Sequence, residues 1–186
     1  MKARRLNAGE RSDSLSELNA EWARRVAEAE QQARTSGRGD VADYLALRAL
    51  NDMARATGVE WLLAAFNAQA GEVNRTGAGI TLTSEDEHRF RVGNSTMVGN
   101  RLILHAGVRS VSIEAGWPRT PRDGFMRGGG LAAARVSHFG DPLAGDELLL
   151  VQNADGAPGW LILDETGART PLEEERVRRH VAKLLR

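Results

Sequence analysis

The chain has 186 residues, 41% hydrophobic and 27% charged, enough for one ordinary core or for a small domain with a helical appendage. Lysine plus arginine number 25, as do aspartate plus glutamate, so the formal net charge is zero and no global field draws the chain to nucleic acid or to an anionic membrane. With no cysteine, disulfides, thiolate metal sites and thiol nucleophiles are excluded, and a reducing, cytoplasmic location is expected.

Residues 1–13 carry Lys2, Arg4, Arg5 and Arg11 and read as a flexible basic arm. No apolar run follows the first basic residues, so a secretory signal is not expected, and no stretch approaches the ~20 apolar residues of a membrane span. Residues 14–73 read as a helical region, a hairpin or a three-helix unit. Ser14-Leu15-Ser16-Glu17 has the capping-box pattern, and Leu15, Leu18, Trp22, Val26, Ala29 and Ala33 follow at helical spacing. Gly37 and Gly39 end that segment. Asp40 can cap a second helix whose apolar face is Val41, Tyr44, Leu45, Leu47, Leu50 and Met53. Thr57-Gly58-Val59-Glu60 is a second capping box and predicts a third helix containing Trp61, Leu62, Leu63 and Phe66.

From residue 74 the period changes from helical to alternating, which predicts an antiparallel β domain over 74–186. Ile80–Thr83 and His88–Val92 read as strands. Gly99-Asn100, between Ser95–Val98 and Arg101–His105, predicts a two-residue hairpin turn. In the strand after Ala106-Gly107, Val111, Ile113 and Ala115 share one face, and Ser110, Ser112 and Glu114 the other. Leu131–Phe139, Glu147–Gln152 and Gly159–Leu163 are further strands, with turns at Asn153–Gly156 and Glu165–Gly167. Thr170-Pro171-Leu172-Glu173 predicts the start of a C-terminal helix with Val177, Val181, Leu184 and Leu185 as its apolar stripe. The class is α+β: an N-terminal helical hairpin or three-helix unit, an antiparallel barrel or sandwich, and a C-terminal helix.

No phosphate loop, dinucleotide fingerprint, zinc-protease helix or nucleophile elbow is present. The segment richest in chemistry is 116–130, with two prolines, five glycines, Trp117, Arg119, Arg122, Asp123, Phe125, Met126 and Arg127. Consecutive amides at Gly128, Gly129 and Gly130 can form an anion-binding nest. Arg119, Arg122 and Arg127 offer bidentate donors, and Trp117 and Phe125 offer stacking surfaces. Asp123 can hold the loop's shape. Residues 75–140 contain nine arginines against five acids, which adds a local positive field. The expectation is a non-catalytic cytoplasmic binding module that recognises an anionic ligand, nucleic acid included, or a partner protein at this loop.

The alternative is an enzyme, a hydrolase, with Glu114 and His138 as acid–base groups meeting at a cleft beside the loop. A second alternative is an assembly subunit that binds a partner or itself through the N-terminal helices. His88, His105 and His138 lie on separate strands, but no His-x-His pair or other ligand spacing accompanies them, so no metal site and no cofactor is expected.

Overall fold

A computed structural model describes residues 24, 27–29, 31–37, 39–126, 128–154, 156–164 and 166–186. The basic arm, the Ser14 cap and the stripe residues Leu15, Leu18, Trp22 and Val26 lie outside the described residues. The chain divides into two compact units, 1–53 and 54–186, and the division falls within a helix. In the first unit, residues 27–29 and 31–35 are helical, and Gly37, at φ 71°, ends that segment in the left-handed region open to glycine. Ala33 and Ala42 are buried there.

Helix α1 (Gly39–Asn74) runs for 36 residues without a break, so the expected second and third helices are one. The capping-box letters at Thr57–Glu60 start nothing. Gly58 instead lets the helix approach the sheet: a Cβ built on it would lie 2.6 Å from Leu150 Cδ2. The Gly58 carbonyl also accepts the indole N–H of Trp160 at 2.8 Å. Tertiary packing therefore selects the glycine that the local pattern assigns to a cap. At the C-terminal end of α1, the Asn74 side chain exchanges two hydrogen bonds with the backbone of Ile80, at 2.7 and 2.8 Å, and so sets the first strand.

Seven antiparallel strands follow in simple meander order: β1 (Thr81–Val92), β2 (Ser95–Ala106), β3 (Arg109–Trp117), β4 (Ala132–His138), β5 (Asp141–Gln152), β6 (Pro158–Leu163) and β7 (Arg169–Pro171). β1 and β7 do not pair, so the seven-stranded sheet is not closed. The two short strands expected over 80–92 are one, bulged between Glu85 and His88, with Glu87 at φ 57°. The bulge and the charges around it protect this long edge strand from further pairing.

The Gly99-Asn100 turn is also corrected. Gly99 sits in the middle of β2, opposite Gly116, and a side chain on it would collide with the backbone carbonyl of Ala115. The same dipeptide at Gly93-Asn94 makes the hairpin, with Gly93 at φ 57°. Thr170 and Pro171 belong to β7, not to a helix cap. The C-terminal helix, α2 (Glu174–Leu184), begins after them with Glu173 at its N-cap position.

Alternation gives the sheet two distinct faces. On the inner face, Leu102, Leu104, Val111, Ile113, Ala134, Val136, Leu148 and Leu150 form one buried cluster. Leu62 and Phe66 of α1 and Val177, Val181 and Leu184 of α2 belong to the same cluster. On the outer face the apolar cluster is small: Phe90, Met97 and Ala133, with Val92 and Met126 at its margin.

Candidate functional site

The 116–130 loop leaves β3 at Trp117, which is 8% exposed and part of the inner cluster. Its ring is capped by the Arg119 guanidinium, 3.6 Å from the ring centroid, while Arg119 Nε donates to the Val98 carbonyl at 3.4 Å. Trp117 is therefore a plug and not the stacking platform expected of it, because Val98 and Trp117 pair in register at the inward-facing end of β3.

Thr120 opens a short 3-10 turn, Pro121–Asp123. The buried Asp123 carboxylate accepts from the Thr120 amide at 3.0 Å, the Thr120 hydroxyl at 2.9 Å and the Arg89 guanidinium at 2.6 Å. The Thr120 hydroxyl bond, helped by the Thr120 amide and Arg89, holds this carboxyl below the usual carboxylate range against the opposing effect of burial. Beyond it, Ser95 Oγ donates to the Phe125 carbonyl at 3.0 Å, and Met126 packs on the outer cluster. The loop is pinned from beneath on both sides of its tip.

Among the glycines, Gly128 and Gly129 both have positive φ, at 67° and 75°. The Gly128 carbonyl is an acceptor for Arg169 at 3.2 Å. Gly130 lies against Leu149, and Leu131 rejoins the sheet by donating to the Leu150 carbonyl at 2.7 Å. Arg127 lies outside the described residues. Arg122, exposed and without a hydrogen bond or ion pair among the described residues, and Phe125, 77% exposed, remain as the outward-facing groups of the tip.

Glu114 and His138 do not meet. Register puts His138 opposite Val111 and Glu114 opposite Arg135, so the two side chains leave opposite faces of the sheet. Odd and even positions of β3 face opposite ways, which removes the expected acid–base pair. On the outer face Glu114 accepts from His88 Nε2 at 2.7 Å, and Glu85 lies 3.3 Å from His88 Nδ1. Arg135 approaches the second Glu114 oxygen at 3.9 Å.

On the inner face, His138 joins a group that the motif search missed. His138 Nε2 and His180 Nδ1 are 2.9 Å apart, His180 Nε2 is 2.9 Å from Asp146, and Arg176 grips Asp146 with two bonds of 2.6 Å. Although burial opposes ionisation of Asp146, the bonds from Arg176 and His180 hold its carboxyl well below the usual range. One signal was readable: His180 interrupts the apolar stripe of α2 four residues after Arg176, so both reach one carboxylate. Among the described residues, no three His, Asp or Glu side chains are arranged to hold a metal ion.

A cavity of about 470 Å³ opens among Thr57, Trp61, Asn153, Pro158, Trp160 and Pro171. Among the described residues no charged side chain lines it. Among the described residues no helix is long and apolar enough to cross a membrane. Comparison of the chain with protein-family models, with curated proteins and with solved structures found no match.

Proposed function

We propose that the protein is a non-catalytic binding module of the cytoplasm that takes an anionic ligand at the tip of the 116–130 loop. The observation that carries this reading is the exposure of Phe125 on a loop fastened at Asp123 and Ser95, three positions after Arg122, which is exposed and has no ion pair among the described residues. An exposed large aromatic on an anchored loop costs little entropy to bind with, and the Arg122 guanidinium of the same loop supplies the charge. The contacting residues in this reading are Arg122 and Phe125, with Arg127 as a third candidate. Trp117, Arg119 and Asp123 build the platform beneath them.

The test uses a fluorescently labelled single-stranded oligothymidylate, read by anisotropy at two salt concentrations. Binding that weakens with salt and falls at least tenfold in Phe125→Ala or Arg122→Ala supports the module. The reading is rejected if the oligonucleotide does not bind, or if the double variant binds as well as the parent.

A second reading, self-association through the N-terminal helices, is favoured by one observation. Tyr44, Leu47, Leu50 and Met53 on the first half of α1 are each more than half exposed, at 62%, 57%, 58% and 64%. Sedimentation of the whole chain tests it: a concentration-dependent dimer that Leu47→Glu dissociates supports it, and a monomer at all concentrations removes it.

A further inference from the structure

The ends of β4 and β5 meet α2 at a polar chain buried in the inner face. His138 on β4 is 9% exposed and His180 on α2 is 4% exposed, and their rings lie 5.2 Å apart. Beyond His180 the chain continues to Asp146 on β5 and Arg176 on α2. Lys183 and Asp141 pair at 2.7 Å beside it. The charged groups facing the two imidazoles are thus Asp141 and Asp146 from β5 and Arg176 and Lys183 from α2. From α1 the neighbour is Phe66, 6.0 Å from His180, and from β3 it is Val111, opposite His138; neither titrates. Two anions and two cations cancel before either ring takes up a proton.

The hydrogen bonds set how many protons the pair can hold. Asp146 is an acceptor, so His180 donates from Nε2. With both rings neutral, His180 Nδ1 is a bare acceptor, and the proton between the rings sits on His138 Nε2. One further proton fits. His180 then donates from both nitrogens, and His138 accepts at Nε2 while carrying its own proton on Nδ1. A second further proton does not fit, because two N–H groups would face each other at 2.9 Å and the extra positive charges would have no anion left to offset them.

We propose that the His138–His180 pair is a proton-counting latch on α2, closed with none or one extra proton and released when both imidazoles are charged. The consequence reaches the core, since Val177, Val181 and Leu184 of α2 cover the inner cluster and would leave it on release. The direction of titration agrees. Burial, with the positive charge of His180 and Lys183 adding to it, holds His138 below the ordinary histidine value. A histidine so lowered stays neutral in the closed form while the open form takes the proton. The stability it contributes is therefore complete above about pH 6.5 and is lost as pH falls from there toward its folded value.

The test is amide hydrogen exchange on the full chain between pH 8 and pH 5, corrected for the intrinsic pH dependence of exchange. The expected result is that the opening equilibrium of α2 rises by up to tenfold per pH unit below about 6.5, as uptake of one proton requires, while amides of β2 and β3 hold their protection. In His138→Gln, which still hydrogen-bonds His180 but cannot be charged, the α2 profile is expected to be flat. Equal losses in the parent and His138→Gln, or no loss in the parent, would overturn the latch. Ring-nitrogen NMR of the unaltered protein gives a reading that needs no variant. The second proton should enter together with loss of α2 protection, and two charged rings with α2 still protected would refute it.

Discussion

On the inner face of the sheet, apolar side chains from five strands, β2 to β6, meet Leu62 and Phe66 of α1 and Val177, Val181 and Leu184 of α2. On the outer face, among the described residues, Phe90, Met97 and Ala133 are buried together, and a loop and a set of ion pairs around His88 and Glu114 add to the cover. Both faces belong to the same strands, so the difference comes from what lies across from each. Two helices can bury a wide apolar surface, whereas a loop can cover only a few residues and must be tied down by hydrogen bonds at Asp123 and Ser95. The inner face therefore holds most of the buried apolar contact, and the outer margin leaves Phe125 and Arg122 exposed.

That contrast breaks most severely where the inner cluster is cut. Phe66→Ala, at a side chain with 0% exposure, is expected to cost about 3–5 kcal/mol by urea denaturation, since it removes the transfer free energy and leaves a cavity. If Phe66→Ala cost no more than the exposed Phe125→Ala, the division between a stabilising and a presenting face would be wrong. Asp146→Ala comes next, at about 3 kcal/mol, because it strands Arg176 and His180 without their shared acceptor. The same carboxyl gives a pH signature. Its folded value is lowered, so its contribution is present above about pH 4 and is lost as pH falls below that, which acid denaturation of parent and Asp146→Asn can compare.

Gly99→Ala and Gly93→Ala sharpen the comparison within one dipeptide pattern. The first forces a methyl group into the β3 backbone and should cost about 2–3 kcal/mol; the second strains a left-handed turn residue and should cost about 1 kcal/mol. Thermal melts of the two variants read the difference, and equal costs would mean that the close strand approach is not what selects Gly99. At the loop, Asp123→Ala is expected to raise amide exchange across 119–126 while leaving β4 and β5 amides protected. The smallest effect on folding is expected from Arg122→Ala, within about 0.5 kcal/mol of the parent, so any loss of binding it causes is a loss of contact.

Reading the chain as letters located β3 and its two faces, the outline of β4 to β6, and the apolar stripe of α2 except for Leu185, which lies past the helix end and is 42% exposed. It failed where one residue type serves two purposes. Gly58 and Gly99 carry the letters of a cap and a turn, yet both are selected by atoms from distant parts of the chain, Leu150 and Ala115. For the candidate site, the loop's unusual composition was legible, but which of its side chains are buried and which are exposed was not. Trp117 and Phe125 look alike as letters, and strand register alone buries the first and leaves the second outside. The Glu114–His138 pairing failed for the same reason, since an odd offset in register moves a side chain to the other face.

Period and composition by themselves determined an α+β chain with a glycine- and arginine-rich loop after β3, because alternation and helical spacing are local properties of the order of residues. Only the tertiary structure decided that the strands form one open meander, that Asp123 fastens the loop to Arg89, and that His138, His180, Asp146 and Arg176 come together in the interior. Each of those contacts joins residues about 30 or more positions apart, and what brings them together is burial of a shared core, a property of the whole fold that no short window of sequence contains.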